Sequence, residues 1–232
     1  THEHLDLHKT MENYAHAKSL LFSQLGNHSK NAKPRVAILN RDEEHFEQFA
    51  YSTPCEVISY GFSEKADIRA TDVQTNGATT SFTVTMNGQE LPVTIPMIGL
   101  FNVYNVLAAF AVAVVNGISL ERAVSRMKRF PGVGGRMQLI QQGQPFQVII
   151  DFAHTPDGLQ NVLETLEKVK VNRVITIMGH SGGNRDSSMR PELGEIAFDK
   201  SDYVILTADN PRHEPLEKIY AEILAGRKDE QT

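Results

Sequence analysis

The last third of the chain alternates strand-length apolar runs with helix-length amphipathic ones, and this alternation narrows the fold more than any other feature. Residues 146–152 read as a strand and 156–169 as a helix, with Leu159, Val162, Leu163, Leu166 and Val169 inward. Residues 173–178 form the next strand, 191–199 a helix, 203–207 a strand and 215–224 a helix. Such alternation implies right-handed βαβ units around a parallel sheet. Ligands of open α/β sheets bind beyond the carboxyl ends of the strands, so a site belongs there. Three of these ends carry polar clusters: Asp151 with His154, residues 179–186, and Asp209 to Arg212. The clusters are expected to converge on one edge of the sheet.

The first part of the chain is ordered differently. Thr10 can cap a helix that ends near Gly26, with Met11, Tyr14, Leu21 and Leu25 as its apolar stripe and Lys18 on that same stripe. A buried strand at 34–40 and a polar helix around 43–49 follow. Strands are expected at 56–60, 67–73, 80–86 and 91–95, with Asn87-Gly88 as a hairpin turn between the last two. Residues 102–116 read as a mostly apolar helix stopped by Gly117, and Ser119 caps another that ends before Pro131-Gly132. The Gly-rich stretch 131–136 is a hinge, dividing the chain into 1–131 and 132–232.

Composition excludes several classes. With 41% hydrophobic and 22% charged residues, the chain has the make-up of a soluble globular protein with a core to bury. A net charge of −5 gives no global basic field for nucleic acid. The single Cys55 excludes an internal disulfide framework and fits a reducing compartment. The longest strongly apolar run, 106–115, is too short to span a bilayer, so a cytoplasmic monomer is expected. The chain opens without an initiator Met and trails off in charge, which reads as a fragment of a longer protein.

Five constellations could carry chemistry. The turn Asp209-Asn210-Pro211-Arg212 holds an arginine beside a proline-stiffened bend, suited to gripping a carboxylate with both guanidinium nitrogens. On these four residues alone an ordinary surface turn is the better reading. In residues 179–186, glycines let backbone amides approach an anion, and Arg185 and Arg190 add positive charge. The loop is neither a Walker A loop nor a clean dinucleotide fingerprint. Between 151 and 157, Thr155 and Pro156 suit a helix cap, while Asp151 and His154 need another use, such as facing a ribose or a metal-bound phosphate. Asn102 and Asn105 could read a base edge or cap a helix, and capping is the safer reading in isolation. Lys18 either snorkels to water or is functional, and snorkelling is favoured on the residues alone.

Taken together, the segments resemble the Mur ligases, and within them the type that adds a diamino acid. The resemblance runs from His4 to about Gly226. It rests on His4-Leu5-Asp6 with Tyr14 to Lys18, then Phe101 to Ala109, Gly135-Arg136-Met137, Asp151 to Asp157, Gly182 to Asp186, and Asp209 to Arg212. All six stand in the family's order. The resemblance implies an α/β chain: the back part of a central ATPase domain (1–131), then a truncated Rossmann-like C-terminal domain with a parallel sheet (132–232). It implies an ATP-dependent amide ligase working through an acyl phosphate on UDP-MurNAc-L-Ala-D-Glu, with ATP and Mg²⁺ as cofactors. It assigns His4 to the magnesium ion and makes Lys18 a carbamylated ligand with a catalytic role. It sets Asn102 and Asn105 near the adenine, and Arg136, Asp151 and the catalytic His154 at the ribose, phosphates or metal. It gives Arg185, Asp209, Asn210 and Arg212 to the incoming amino acid. Arginine in this turn goes with meso-diaminopimelate, whose distal carboxylate it binds.

The sequence also departs from the family pattern. The phosphate loop, the catalytic glutamate and the UDP-sugar-binding domain would precede Thr1, and a Gly-Lys-Gly-His-Glu segment would follow Thr232. Met189 stands where a lysine is usual, Gly134 where a proline is and Gln138 where a glutamate is. On this reading the chain alone does not turn over. The alternatives are a lysine-adding ligase, a folylpolyglutamate or cyanophycin synthetase relative, and a non-catalytic binding module of the same fold.

Overall fold

A computed structural model describes residues 5–26, 35–170, 172–183 and 186–228. Contacts divide the chain into two compact units, one spanning residues 10–149 and the other residues 150 onward with the first nine.

The single-turn helix α1 (Leu5–His8) comes first, and the first unit then opens with α2 (Met11–Ser23). The Thr10 hydroxyl accepts from the Asn13 amide at 3.2 Å, a side-chain cap that satisfies one orphan donor. The expected stripe is displaced. The buried positions on α2 are Ala15 and Ser19, four apart, and Phe22 and Leu25 pack beside Phe49 of the next helix. Small residues at i and i+4 let that face approach closely. Leu21 is left 70% exposed, and Lys18 is exposed too.

A five-stranded sheet follows: β1 (Val36–Asn40), β2 (Glu56–Gly61), β3 (Ile68–Asn76), β4 (Thr79–Met86) and β5 (Gln89–Ile95), in that spatial order. Helix α3 (Phe46–Ser52) joins β1 to β2, starting later than expected because the Asn40 carboxamide accepts from the Asp42 amide and holds a turn first. The first three strands run parallel and the last three antiparallel. Asn87 (φ 50°) and Gly88 (φ 77°) both take the left-handed backbone that a two-residue hairpin demands. Helix α4 (Leu100–Val115) lays Val103, Val106, Leu107, Phe110 and Ala111 on Ile68, Val84, Val93 and Ile95 of the sheet. Helix α5 (Leu120–Met127), capped by Ser119, adds Leu120 and Val124 to that core.

Strands β6 (Gln138–Ile140) and β7 (Val148–Ile150) form a separate two-stranded sheet. The expected longer strand over 146–152, inside the parallel sheet, is therefore corrected. Pairing is local: the Gln144 carboxamide donates to the Ile140 carbonyl at 2.7 Å and accepts from the Gln142 amide, drawing the short connection closed.

The second unit holds α6 (Pro156–Val169), β8 (Ile175–Met178), α7 (Arg190–Lys200), β9 (Tyr203–Leu206) and α8 (Leu216–Leu224). Strands β8 and β9 pair in parallel, Ile175 against Tyr203 and Met178 against Leu206. One face packs Met178 and Val204 onto a core of Leu159, Leu163, Leu193 and Ala197 from α6 and α7. Ile175, Ile177, Tyr203 and Ile205 lie on the opposite, exposed face. Among the described residues, no helix is long and apolar enough to cross a membrane.

Candidate functional site

Because β8 and β9 are parallel and in register, their carboxyl ends fall on the same edge. Beyond β8 the chain runs through Gly179, His180, Ser181, Gly182 and Gly183, and beyond β9 through Thr207 to Glu214. The two segments are zipped together. The Thr207 amide donates to Met178 O at 2.8 Å and the Gly182 amide to Asn210 O at 3.1 Å. The Ser181 hydroxyl reaches Asp209 at 3.4 Å, and the Gly183 amide donates to Glu214 at 3.1 Å. A side chain at Gly182 would start 2.9 Å from the Pro211 carbonyl carbon and nearer still to its oxygen. The glycines therefore serve a backbone-to-backbone contact, and two amides that the sequence suggested for an anion instead hold the turn.

That turn presents its polar side chains outward. Asp209, Asn210 and Arg212 are exposed, with Asn210 at φ 42° and Arg212 at φ 52°. Asparagine tolerates that backbone, whereas arginine is strained in it. The Arg212 stem lies over Gly183, where an added methyl would sit 2.9 Å from its Cδ.

Arg190, suggested by the sequence as a ligand-facing charge, is instead fully buried. Its Nε donates to His180 Nδ1 at 3.2 Å, one terminal nitrogen to Glu214 and Glu222, and the other to Glu214 at 2.9 Å and the Ser181 carbonyl at 3.1 Å. All five of its N–H groups have acceptors. The Arg190 and Lys218 hydrogen bonds hold the Glu214 carboxyl far below the usual carboxylate range, and Glu214 in turn raises Arg190. Burial, then the Arg190 charge, lowers the His180 imidazole, while Asp209 raises it and His154 lowers it further. Both side chains thus lie within electrostatic reach of His180. Since His180 Nδ1 accepts from Arg190, its neutral ring carries the proton on Nε2. Sequence gave no signal for this cluster, because its partners lie 24 and 32 residues from Arg190.

On the third segment, the Thr155 hydroxyl caps α6 by accepting from the Gly158 amide, with Pro156 in the first turn. The Asp151 carboxylate accepts from the Ala153 amide at 2.8 Å. His154 is exposed, its Nδ1 3.2 Å from Phe152 O and its ring edge-on to Phe152. Met189 is buried in the α6–α7 core, so a cation there would be desolvated.

The remaining candidates among the described residues belong to the first unit. Asn102 is buried and donates to Ile98 O at 2.8 Å, tying down the chain before α4 rather than capping its amides. Asn105 is exposed and donates to Asn102 at 3.4 Å. Arg136 is exposed on the Gly134-Gly135 turn, and Gln138 stabilises that turn by accepting from the Gly135 amide at 2.9 Å, a role a glutamate would also fill. Lys18 Nζ sits 4.7 Å over the Tyr14 ring. Among the described residues, no group of three or more His, Cys, Asp or Glu is placed to hold a metal ion. His4 and Arg185 lie outside the described residues. An unexpected constellation stands at the ends of β1 and β2, where Asp42 accepts from the amides of Phe62 and Ser63 and from the Tyr104 hydroxyl at 3.0 Å. Burial and that bond raise Tyr104 far above its ordinary value.

Comparison with known proteins agrees with this architecture. Residues 1–113 match the Mur ligase middle domain, and residues 135–232 match the Mur ligase, glutamate ligase domain. The chain belongs to the Mur ligases. This Mur ligase chain is 42% identical over 224 residues to the UDP-N-acetylmuramoyl-L-alanyl-D-glutamate--2,6-diaminopimelate ligase of Listeria monocytogenes serotype 4b, covering 97% of itself and 45% of that protein. A solved structure of the same name superposes with a TM-score of 0.63 at 33% identity, over 98% of this chain and 46% of that one. MurF from Acinetobacter baumannii shares the fold, with a TM-score of 0.76 at 22% identity over 96% and 46% of the two chains. The chain thus spans under half the length of these relatives.

Proposed function

We propose that this chain serves an ATP-dependent amide ligase that adds meso-diaminopimelate to UDP-MurNAc-L-Ala-D-Glu during peptidoglycan precursor synthesis. The observation that carries this reading is the exposed Arg212 on a strand-end turn braced by the β8 loop. A guanidinium there complements the distal carboxylate of diaminopimelate, whereas lysine would leave its distal ammonium beside the guanidinium with no carboxylate to offset the charge. The name of the Listeria relative, which specifies 2,6-diaminopimelate, supports it.

In the reaction, the peptide carboxylate attacks the γ-phosphorus of ATP, releasing ADP and leaving an acyl phosphate. The amine of diaminopimelate then adds to the acyl carbon, and the adduct expels inorganic phosphate to leave the amide. Asp209, Asn210 and Arg212, with Arg185, hold the amino acid so that its amine meets that carbon. Asn102 and Asn105 serve the adenine, and Arg136, Asp151 and His154 the ribose and phosphates. As an ammonium, Lys18 would repel Mg²⁺; carbamylated on Nζ, it would offer hard oxygen donors, with His4 as the other assigned ligand. Residues 1–131 then complete a central ATP-binding domain and 132–232 begin a ligase C-terminal domain, in a cytoplasmic monomer that acts on small molecules and neither nucleic acid nor membrane.

Phosphate release by the full-length protein, with ATP and UDP-MurNAc-dipeptide, tests this reading. Release should require diaminopimelate. Release with lysine but not diaminopimelate would overturn the substrate assignment.

A further inference from the structure

We infer, on the reading of Asp209 to Arg212 as the amino-acid grip, that Arg190 is a positioning residue for diamino-acid selection. It fixes the Gly-rich loop and the Arg212 turn to one another through Glu214. Glu214 is the node. One of its oxygens accepts from Arg190 at 3.0 Å and Lys218 at 2.9 Å, the other from Arg190 at 2.9 Å and the Gly183 amide at 3.1 Å. Glu214 lies two residues beyond Arg212, and Gly183 lies under the Arg212 stem. Arg190 grasps the same loop from beneath, at His180 Nδ1 and Ser181 O. The loop under the Arg212 stem and the carboxylate two residues beyond Arg212 are thus both bonded to one buried guanidinium.

Holding α7 to α8 does not require this clamp. An added methyl at Gly194 would sit 2.9 Å from the Ile223 carbonyl carbon, and one at Gly226 would sit 2.6 Å from the Glu195 amide nitrogen. The two helices already meet backbone to backbone, at Gly194 against Ile223 and at Gly226 against Pro191, the residue after Arg190. Arg190 itself stands where α7 begins, below the loop. Charge there is balanced, with Arg190 and Lys218 facing Glu214 and Glu222. Lysine cannot reproduce a saturated five-donor fork, so even a charge-conserving change should loosen the turn.

The test uses the full-length ligase carrying Arg190→Lys, Glu214→Gln or Glu222→Gln, with KM for diaminopimelate, KM for ATP, kcat and Tm measured for each. Arg190→Lys and Glu214→Gln should raise KM for diaminopimelate by about ten- to a hundredfold, the scale of an ångström-sized misplacement, with KM for ATP within about twofold of the parent. Glu222→Gln removes only the negative charge from the arm to α8, its carboxamide oxygen still able to accept from Arg190, and should leave KM for diaminopimelate near the parent value, even if Tm falls. Unchanged KM for diaminopimelate in Arg190→Lys and Glu214→Gln would overturn the positioning role, as would a parallel rise in both KM values. A parent enzyme without diaminopimelate-dependent phosphate release would instead remove the reading of the turn itself.

Discussion

Replacing Gly182 with alanine drives one methyl into the contact that joins the β8 loop to the Arg212 turn. The new Cβ would lie 2.9 Å from the Pro211 carbonyl carbon and 3.0 Å from the Glu214 Cβ. Comfortable carbon–carbon contact is about 3.5–4.0 Å, so loop and turn must part by roughly 1 Å. The Gly182 amide bond to Asn210 O, 3.1 Å long, stretches beyond useful range in the process. Overpacking of this kind costs about 1–3 kcal/mol, and a backbone carbonyl as the opposing group places this case near the top of the range. For a unit of this size each kcal/mol moves the midpoint by about 4–8 °C, which predicts a drop on the order of 10–20 °C. Differential scanning calorimetry of the chain, following the transition of the second unit, reads it directly. Gly134→Ala is the internal control, since its added methyl meets only the Gln138 carboxamide oxygen at an ordinary 3.9 Å. If Gly182→Ala unfolds no earlier than Gly134→Ala, loop and turn are not in contact and the site as described is wrong.

Arg212→Ala in the full-length ligase should raise KM for diaminopimelate by about 10- to 100-fold, the worth of a charged hydrogen-bonded pair, without moving KM for ATP. Equal KM values in variant and parent would remove Arg212 from the substrate. Asn102→Leu leaves the buried Ile98 carbonyl without its donor and should destabilise the first unit by about 1–3 kcal/mol in denaturant titration. His180 and Glu214 are both held below their ordinary values of 6.5 and 4.5, so the unfolded chain binds protons that the folded one resists. Their contribution is complete above those values and is lost as pH falls, first through His180 and then through Glu214. Thermal midpoints of the second unit should therefore decline as pH drops below 6.5, and His180→Gln should flatten the upper part of that decline. An unaltered profile would show that His180 titrates as it does in water.

Features settled within a few residues were legible in the sequence. Thr10, Ser119 and Thr155 cap helices by bonds spanning three residues, and Asn87-Gly88 forms its hairpin from its own backbone preference. The strand ends carrying Asp209 and the Gly-rich loop were legible too, because parallel pairing follows from the alternation. Where the reading failed, a distant partner decided. The apolar stripe of α2 was expected through Tyr14 and Leu21, but Ala15 and Ser19 are buried instead, and Phe22 and Leu25 pack beside Phe49 of α3. Arg190 was expected to add charge to an anion site, until Glu214, just before α8, and Glu222, on it, turned it inward. Tyr104 and Asp42 stand 62 residues apart, a separation at which no local pattern announces a bond.

The backbone of Arg212 sets fold and selection against each other. An L-residue with a side chain at φ 52° carries strain of about 1–2 kcal/mol, which glycine would not. Arg212→Gly should therefore raise the melting temperature of the second unit while discarding the group proposed to recognise the amino acid. A screen for thermostable variants that never sees substrate would favour glycine at this position. Durability gained that way would come from the residue proposed to discriminate between amino acids.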